Sequence, residues 1–307
     1  MKNIFAAIDL GSTNCRISIV AIVNKKPKEI YRFSKIINLA KNLAFNNEFG
    51  NEKIRLTTKV FKKLSKKMAE KNVNSYKCIA THACREAINS EELIQNIYKN
   101  TGIKVQIISP YEEARLCLYS TLIHIKDHKK FNMIFDIGGG STELIFIKNK
   151  VKIKNEFEFL SLPYGVISLN EKSELFNKSK INEEIKKKFV FFKSKTFQSE
   201  INMIGSCGTI TSICSVFLGL QHYNRKKVEG VVMKIRDITE VCEKIKKMSF
   251  EEKINHPCIG KQRSQLLDNG IIILEAIYNN WDINEILVSD RGLREGMIEE
   301  HLNQNED

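Results

Sequence analysis

Ile4-Phe-Ala-Ala-Ile-Asp9-Leu-Gly11-Ser12-Thr13 near the start of the chain and Met133-Ile-Phe-Asp136-Ile-Gly138-Gly139-Gly140-Ser141-Thr142 in its middle spell one phrase twice. Each is an apolar run of β type, an aspartate, one more apolar residue and a tight turn of small residues, followed by another apolar run. The two aspartates lie about one domain length apart, so the repeat predicts two related domains facing each other. A strand ending in Asp-x-Gly can hold a hydrated divalent cation on its carboxylate. The glycine turn lets backbone N–H groups approach phosphate oxygens. Two such turns predict a phosphate-and-metal site, and hence phosphoryl chemistry.

Composition narrows the field. A chain of 307 residues has interior enough for two domains that need no staples. The formal charge of +13 favours anionic partners. Much of that charge reads as solvated helix face, because Lys62-Lys63-x-x-Lys66-Lys67 alternates with Val60, Phe61, Leu64 and Met68 at helical spacing. No RNA-recognition, zinc-finger or helix-turn-helix signature is present, which disfavours nucleic acid as a partner. The 8 cysteines form no C-x-x-C pair and read as small buried hydrophobes. Asp9 interrupts the first apolar run, which therefore does not read as a signal peptide, and no apolar run reaches membrane-spanning length. These features predict a soluble, cytoplasmic protein with no membrane partner.

Along the chain, strands are expected at 4–9, 15–23 and 28–37, followed by an amphipathic helix over 53–72. A strand at 78–81 runs into a helix carrying Arg85, and a strand at 105–109 into the helix beginning at Pro110. The second part repeats the succession, with strands near 132–137, 143–148 and 151–160, a basic helix near 180–197 and a strand at 201–205. A buried helix over 266–277, a strand at 285–289 and a final helix from about Gly292 complete it. The polar stretch 124–131 reads as the hinge. The expected partition is residues 1–123 plus a returning helix at about 297–307 as domain I, and 124–296 as domain II.

Several residues could carry chemistry. Asp136 and Glu143 bracket the glycine loop, and two carboxylates beside a phosphate make sense with a cation between them. Ser109-Pro-Tyr-Glu112 has the spacing of a capping box with proline at the first helical position, so Glu112 could tie down a helix end. A carboxylate there could equally accept a proton from attacking water. Both readings stay open on the residues alone. Arg85 could clamp a terminal phosphate or pair with Glu86 or Glu92. Gly205-Ser-Cys-Gly208-Thr209 is another glycine turn opening a helix, suited to phosphate or to simple capping.

In order, the segments Ala7-Ile-Asp-Leu-Gly-Ser-Thr-Asn-Cys-Arg16, Ala80-Thr-His-Ala-Cys-Arg85-Glu-Ala87, Glu112-Glu-Ala-Arg-Leu116, Phe135-Asp-Ile-Gly-Gly-Gly-Ser-Thr-Glu-Leu144, Ser161-Leu-Pro-Tyr-Gly165, Gly205-Ser-Cys-Gly-Thr209 and Ser289-Asp-Arg-Gly-Leu-Arg-Glu-Gly296 span nearly the whole chain. The set resembles the exopolyphosphatase / guanosine pentaphosphate phosphohydrolase family of the actin-like, sugar-kinase and heat-shock chaperone superfamily. That resemblance implies an α/β fold of two ribonuclease-H-like domains, each a mixed five-stranded sheet with flanking helices, with a cleft between them. It also implies hydrolysis of a terminal phosphoanhydride of polyphosphate or guanosine pentaphosphate with a divalent metal, usually Mg2+. By position, Glu112 matches the general base, Asp136 and Glu143 the metal- and water-positioning carboxylates with Asp9 as a further metal residue, and Arg85 and Arg263 the phosphate-binding arginines. The phosphate loops fall on Gly11, Ser12, Thr13 and Asn14 with Arg16, on Gly138, Gly139, Gly140, Ser141 and Thr142, and on Gly208 and Thr209. Two departures stand out: the first turn reads Gly11-Ser12-Thr13-Asn14 where many members have Gly-Ser-Asn-Ser, and Arg263 sits between Gln262 and Gln265 where the family has acids. A small-molecule kinase or a nucleotide sensor on the same fold are the rival readings, and a homodimer stays open.

Overall fold

The first strand is apolar at nearly every position, and Phe5 through Leu10 are all buried, Asp9 among them. A strand without alternation is covered on both faces, which places it mid-sheet between layers of helices. In the computed structural model this is β1 (Asn3–Leu10), antiparallel to β2 (Asn14–Val23) and parallel to β4 (Ser75–Ala80). With β3 (Lys26–Ile36) and β5 (Gln106–Ile107) the sheet has the order β3-β2-β1-β4-β5. The structure describes residues 3–125, 131–147, 157–169 and 201–304, together with positions 171, 183, 187 and 190.

The second sheet repeats the plan. β6 (Phe131–Ile137) is antiparallel to β7 (Thr142–Ile147) and parallel to β9 (Ile201–Gly205). β8 (Glu158–Leu162) lies beyond β7, and β11 (Glu285–Val288) beyond β9. One strand breaks the expected count of five: β10 (Val232–Lys234) adds an antiparallel edge to β11, making the order β10-β11-β9-β6-β7-β8. Three residues are too few for a period-2 pattern to show in the sequence.

Helices form where the apolar spacing says they should. Asn51–Glu70 buries Ile54, Val60, Phe61, Leu64 and Met68 on one face. Leu267–Tyr278 is buried at Leu267, Ile271, Ile273, Leu274 and Ile277, and joins a core with Phe135, Ile210 and Ile213. All eight cysteines are buried thiols outside any disulfide, as their apolar contexts suggest. No helix among the described residues is long and apolar enough to cross a membrane.

The chain divides into a unit of Met1–Ser120 with Gly292–Asp307 and a unit of Thr121–Arg291. The return to the first unit therefore begins at Gly292, ahead of the expected 297, and includes the whole helix Leu293–Gln304. Its packing explains the boundary: a Cβ at Gly296 would lie 2.0 Å from the Leu116 carbonyl oxygen, so only glycine lets this helix meet Pro110–Thr121 so closely. The hinge expected at 124–131, the helix near 180–197 and the start of the strand at 151–160 fall wholly or largely outside the described residues.

Candidate active-site elements

The two repeated turns are four-residue loops in the same register. In the first, Leu10 pairs with Cys15 and Gly11–Asn14 form the loop, closed by the Gly11 N–H donating to the Asn14 carbonyl at 2.9 Å. In the second, Ile137 pairs with Thr142 and Gly138–Ser141 form the loop, closed by the Gly138 N–H to the Ser141 carbonyl at 2.9 Å. The structural match therefore sets Ser12 against Gly139 and Arg16 against Glu143.

What lies behind each loop fixes what it presents in front. The Gly138 carbonyl accepts from the Val166 N–H at 2.9 Å and the Gly139 carbonyl from the Ile167 N–H at 2.8 Å. The Gly140 carbonyl accepts from the Ser168 hydroxyl at 2.8 Å, and the Thr142 hydroxyl donates to the Tyr164 carbonyl at 2.6 Å. Every peptide here is trans, so C=O and N–H of one unit point opposite ways. The N–H groups of Gly139, Gly140 and Ser141 are thereby turned away from the 164–168 strap, as an anion-binding nest requires. Gly165 makes the strap possible, since a Cβ there would sit 2.5 Å from the Gly139 carbonyl carbon. In the first loop a strap at 37–40 does the same work. Ala40 N–H donates to the Ser12 carbonyl at 3.0 Å, and the N–H groups of Ile37 and Asn38 both donate to the Thr13 carbonyl at 2.9 Å.

The carboxylates differ in their surroundings. Asp9 is buried; its Oδ2 lies 3.7 Å from Arg16 Nη1 while Oδ1 has no hydrogen-bond partner. Burial raises its pKa above the ordinary value, against the pull of Arg16 and Arg294. Asp136 and Glu143 stand directly opposite each other on β6 and β7, a like-charge arrangement that destabilises a sheet unless something offsets it. The Ser161 hydroxyl donates to Glu143 Oε1 at 2.9 Å. Among the described residues no cluster of three or more His, Cys, Asp or Glu could cage a metal. Magnesium does not need one, because it is commonly held by one or two carboxylates completed by waters and phosphate oxygens. An orphaned buried oxygen on Asp9 and a facing carboxylate pair at Asp136 and Glu143 fit that donor chemistry.

Glu112 does begin a capped helix: its N–H donates to the Ser109 hydroxyl at 3.2 Å. Its carboxylate does not turn back to complete a capping box. It accepts from Arg115 Nε at 2.6 Å and Nη2 at 3.2 Å. Arg115 Nη2 also donates to Glu300 Oε1, and Lys77 Nζ donates to Glu300 Oε2. Burial raises the Glu300 carboxyl, but the bonds from Lys77 and Arg115 outweigh it and hold it below its ordinary value.

Arg85 pairs with neither Glu86 nor Glu92. Its Nη1 donates to Glu113 Oε2 at 2.8 Å and to the Ile108 carbonyl at 2.9 Å. The buried Ser12 hydroxyl accepts from the Ala83 N–H at 3.2 Å, tying the first loop to the helix His82–Glu86 that carries Arg85. In the second unit Gly208 is exposed at the start of the helix Gly208–Phe217, but the Thr209 side chain is buried against the Gly270 backbone. The Thr209 hydroxyl is therefore packed inside, and its N–H bonds the Cys207 sulfur, leaving Gly208 as the exposed residue of this turn. Arg263, lacking acidic neighbours in sequence, donates from Nη1 to Ser212 and lies over the Tyr223 ring, 5.1 Å from its centroid. The Tyr223 hydroxyl donates in turn to Asp290, which pairs with Arg225 Nε at 2.9 Å.

Within unit 1 the structure thus links Gly11–Asn14, Asp9, Arg16 and Arg85. Within unit 2 it joins Asp136, Glu143 and Gly138–Thr142, and sets Arg263, from the helix Gly260–Ser264, against Ser212 on the helix that begins with Gly208 and Thr209. Sequence reasoning missed Glu113, Arg115, Glu300, Ser161, Ser168, Tyr223 and Asp290 as supports. Only Arg115 carried a local signal, three residues after Glu112 on one helix face.

The sequence profile of the Ppx/GppA phosphatase family matches residues 18–305. A bifunctional 3-dehydroquinate synthase/phosphatase of Fusobacterium nucleatum is 28% identical over 97% of this chain, which spans 46% of that protein. A putative exopolyphosphatase of Haemophilus influenzae is 25% identical over 95% of this chain and 90% of its own. Among solved structures, a Ppx/GppA family member from Aquifex aeolicus superposes with a TM-score of 0.79 at 26% identity, covering 100% of both chains. An exopolyphosphatase from Cytophaga hutchinsonii shares the fold with a TM-score of 0.86 at 21% identity, over 98% of each chain.

Proposed function

Because the chain belongs to the Ppx/GppA phosphatase family, we propose that it hydrolyses the terminal phosphoanhydride of inorganic polyphosphate or guanosine pentaphosphate and releases orthophosphate. The observation that carries this reading is the pair of matched loops whose carbonyls are bound from behind, with outward N–H groups and a facing carboxylate pair beside one of them. Such a constellation suits a polyanion accompanied by a cation.

Each unit supplies part of the chemistry. Glu112, held in one orientation by Arg115, takes the proton from water as it attacks the terminal phosphorus in line. Arg85 keeps Nη1 on Glu113 and Ile108 and offers its remaining N–H groups to phosphate oxygens. In each unit the loop N–H groups, joined in the second unit by the Gly208 helix start, are donors suited to phosphate oxygens as charge builds. Asp136 and Glu143 would hold a Mg2+ ion that neutralises charge on the phosphate oxygens, and in the other unit the orphaned oxygen of Asp9 is a further candidate ligand. The Haemophilus relative's name supports polyphosphate as substrate.

The test is phosphate release from polyphosphate, guanosine pentaphosphate and ATP, with and without a chelator, for wild type and Glu112→Gln. Metal-dependent release from polyphosphate or guanosine pentaphosphate is expected, falling by about 10²–10⁴-fold in the variant. Release that survives both chelation and the substitution would contradict the reading.

A further inference from the structure

The helix Asn51–Glu70 carries seven lysines or arginines, and they fall into two sets. Lys53 and Lys67 are engaged: Lys53 Nζ donates to the Ile37 carbonyl at 2.8 Å, and Lys67 Nζ binds Glu70 and lies 5.3 Å from the centroid of the Tyr31 ring. Arg55, Lys59, Lys62, Lys63 and Lys66 are exposed, and none takes an ion pair or a side-chain hydrogen bond among the described residues. Lys66 feels the charge of Glu70, but that carboxylate is bonded to Lys67.

Residues 55, 59, 62, 63 and 66 recur at three- and four-residue steps, so they form one stripe roughly 16 Å long. Like charges a turn apart repel, and among the described residues none of the five has an ion pair that offsets the repulsion. An extended polyanion lying along the stripe would offset it.

Position adds to charge. The amide of Ile37, whose carbonyl receives Lys53, donates to the Thr13 carbonyl behind the first loop. The end of the helix where the stripe begins is thus tied, through two hydrogen bonds, to the strap supporting Gly11–Asn14. Within unit 1 the cationic stripe thus starts at the end of the helix joined to the strap behind the first loop.

We propose that this stripe is an accessory binding site for inorganic polyphosphate, gripping the chain beyond the residues undergoing hydrolysis. The assignment of polyphosphate rests on the function proposed above; the site itself does not need catalysis. It gives the enzyme a preference for long chains over triphosphate.

The experiment measures binding of end-labelled long-chain polyphosphate to the full chain by fluorescence anisotropy, in chelator, across a salt series. A variant with Arg55, Lys59, Lys62, Lys63 and Lys66 all changed to Gln is compared with one in which Lys226, Lys227, Lys234, Lys244 and Lys247 become Gln. Both lose the same charge. The stripe variant is expected to bind on the order of tenfold or more weakly, with a shallower salt dependence, and to hydrolyse triphosphate as wild type does. The control variant is expected to bind within about twofold of wild type. The double variant Lys62→Glu/Lys66→Glu repeats the test should the fivefold change disturb folding.

Equal losses in both five-site variants would reduce the effect to net charge and overturn the site. So would unchanged binding in the stripe variant, or single-stranded RNA of matched length binding the stripe as tightly as polyphosphate. Loss of binding in a protein that releases no phosphate from any anhydride would sink the proposed hydrolysis and leave the site standing.

Discussion

The two hairpins share a backbone and differ in charge. β1–β2 and β6–β7 both close a four-residue loop with the same hydrogen bond, and both follow an aspartate. Opposite that aspartate the first hairpin has Arg16 and the second Glu143. A single cross-strand position thus gives one copy of the motif an opposite-charge pair and the other a like-charge pair. The lesson is that a repeated backbone supplies the loop, while the residue across the strand sets the charge beside it.

The largest effect that tests this contrast comes from removing the second hairpin's charge. Glu143→Gln is expected to lower phosphate release by about 10³-fold, whereas Arg16→Gln, assayed alongside, should lose about tenfold, mostly in KM. Comparable losses in kcat for both would erase the distinction.

Next comes the strap. Gly165→Ala forces a Cβ into the Gly138–Gly139 backbone and is expected to cut kcat/KM by about 10²-fold. Circular dichroism should show the fold retained, with a lowered thermal midpoint. If activity is unchanged, the loop does not depend on its backing.

Glu300→Gln should be milder, near tenfold in kcat, because it loosens Arg115 and only through it Glu112. Its pH signature is distinct. Glu300 sits below its ordinary value of 4.5, so its contribution to stability is present above that pH and is lost as pH falls through the lower folded value. The variant should show a flatter stability profile on the acid side, measured by thermal unfolding.

The smallest effect has the opposite sign. Asp9 is raised above 3.8 by burial, so its proton-linked stability is complete below that pH and is lost as pH rises through the folded value. Asp9→Asn is therefore expected to stabilise the protein at neutral pH by about 1 kcal/mol while lowering activity. Thermal unfolding at pH 7 and near pH 4 separates the two forms; equal stability at both would show that the orphaned oxygen costs nothing.

Much of this was legible in the residues. The strand–turn–strand phrase, the buried run at 266–277 and the exposed lysines of the 51–70 helix all follow from local period and composition. The supports were not. Ser168 acts from a strap a sheet-strand away from the loop it holds, Glu300 reaches Arg115 from the far end of the chain, and Tyr223 meets Arg263 through tertiary packing. Such contacts have no sequence period. Glu112 shows the middle case: the capping spacing was correct for its N–H, yet its carboxylate follows the stronger, charged partner Arg115.

The central claim is that the second hairpin seats the cation and the first does not do so alone. It is tested most directly by titrating Mn2+ into wild type, Glu143→Gln and Arg16→Gln in the presence of inorganic phosphate, followed by electron paramagnetic resonance. The account predicts a bound ion in wild type and Arg16→Gln, with affinity falling at least about tenfold in Glu143→Gln. Equal affinity in all three proteins would contradict it.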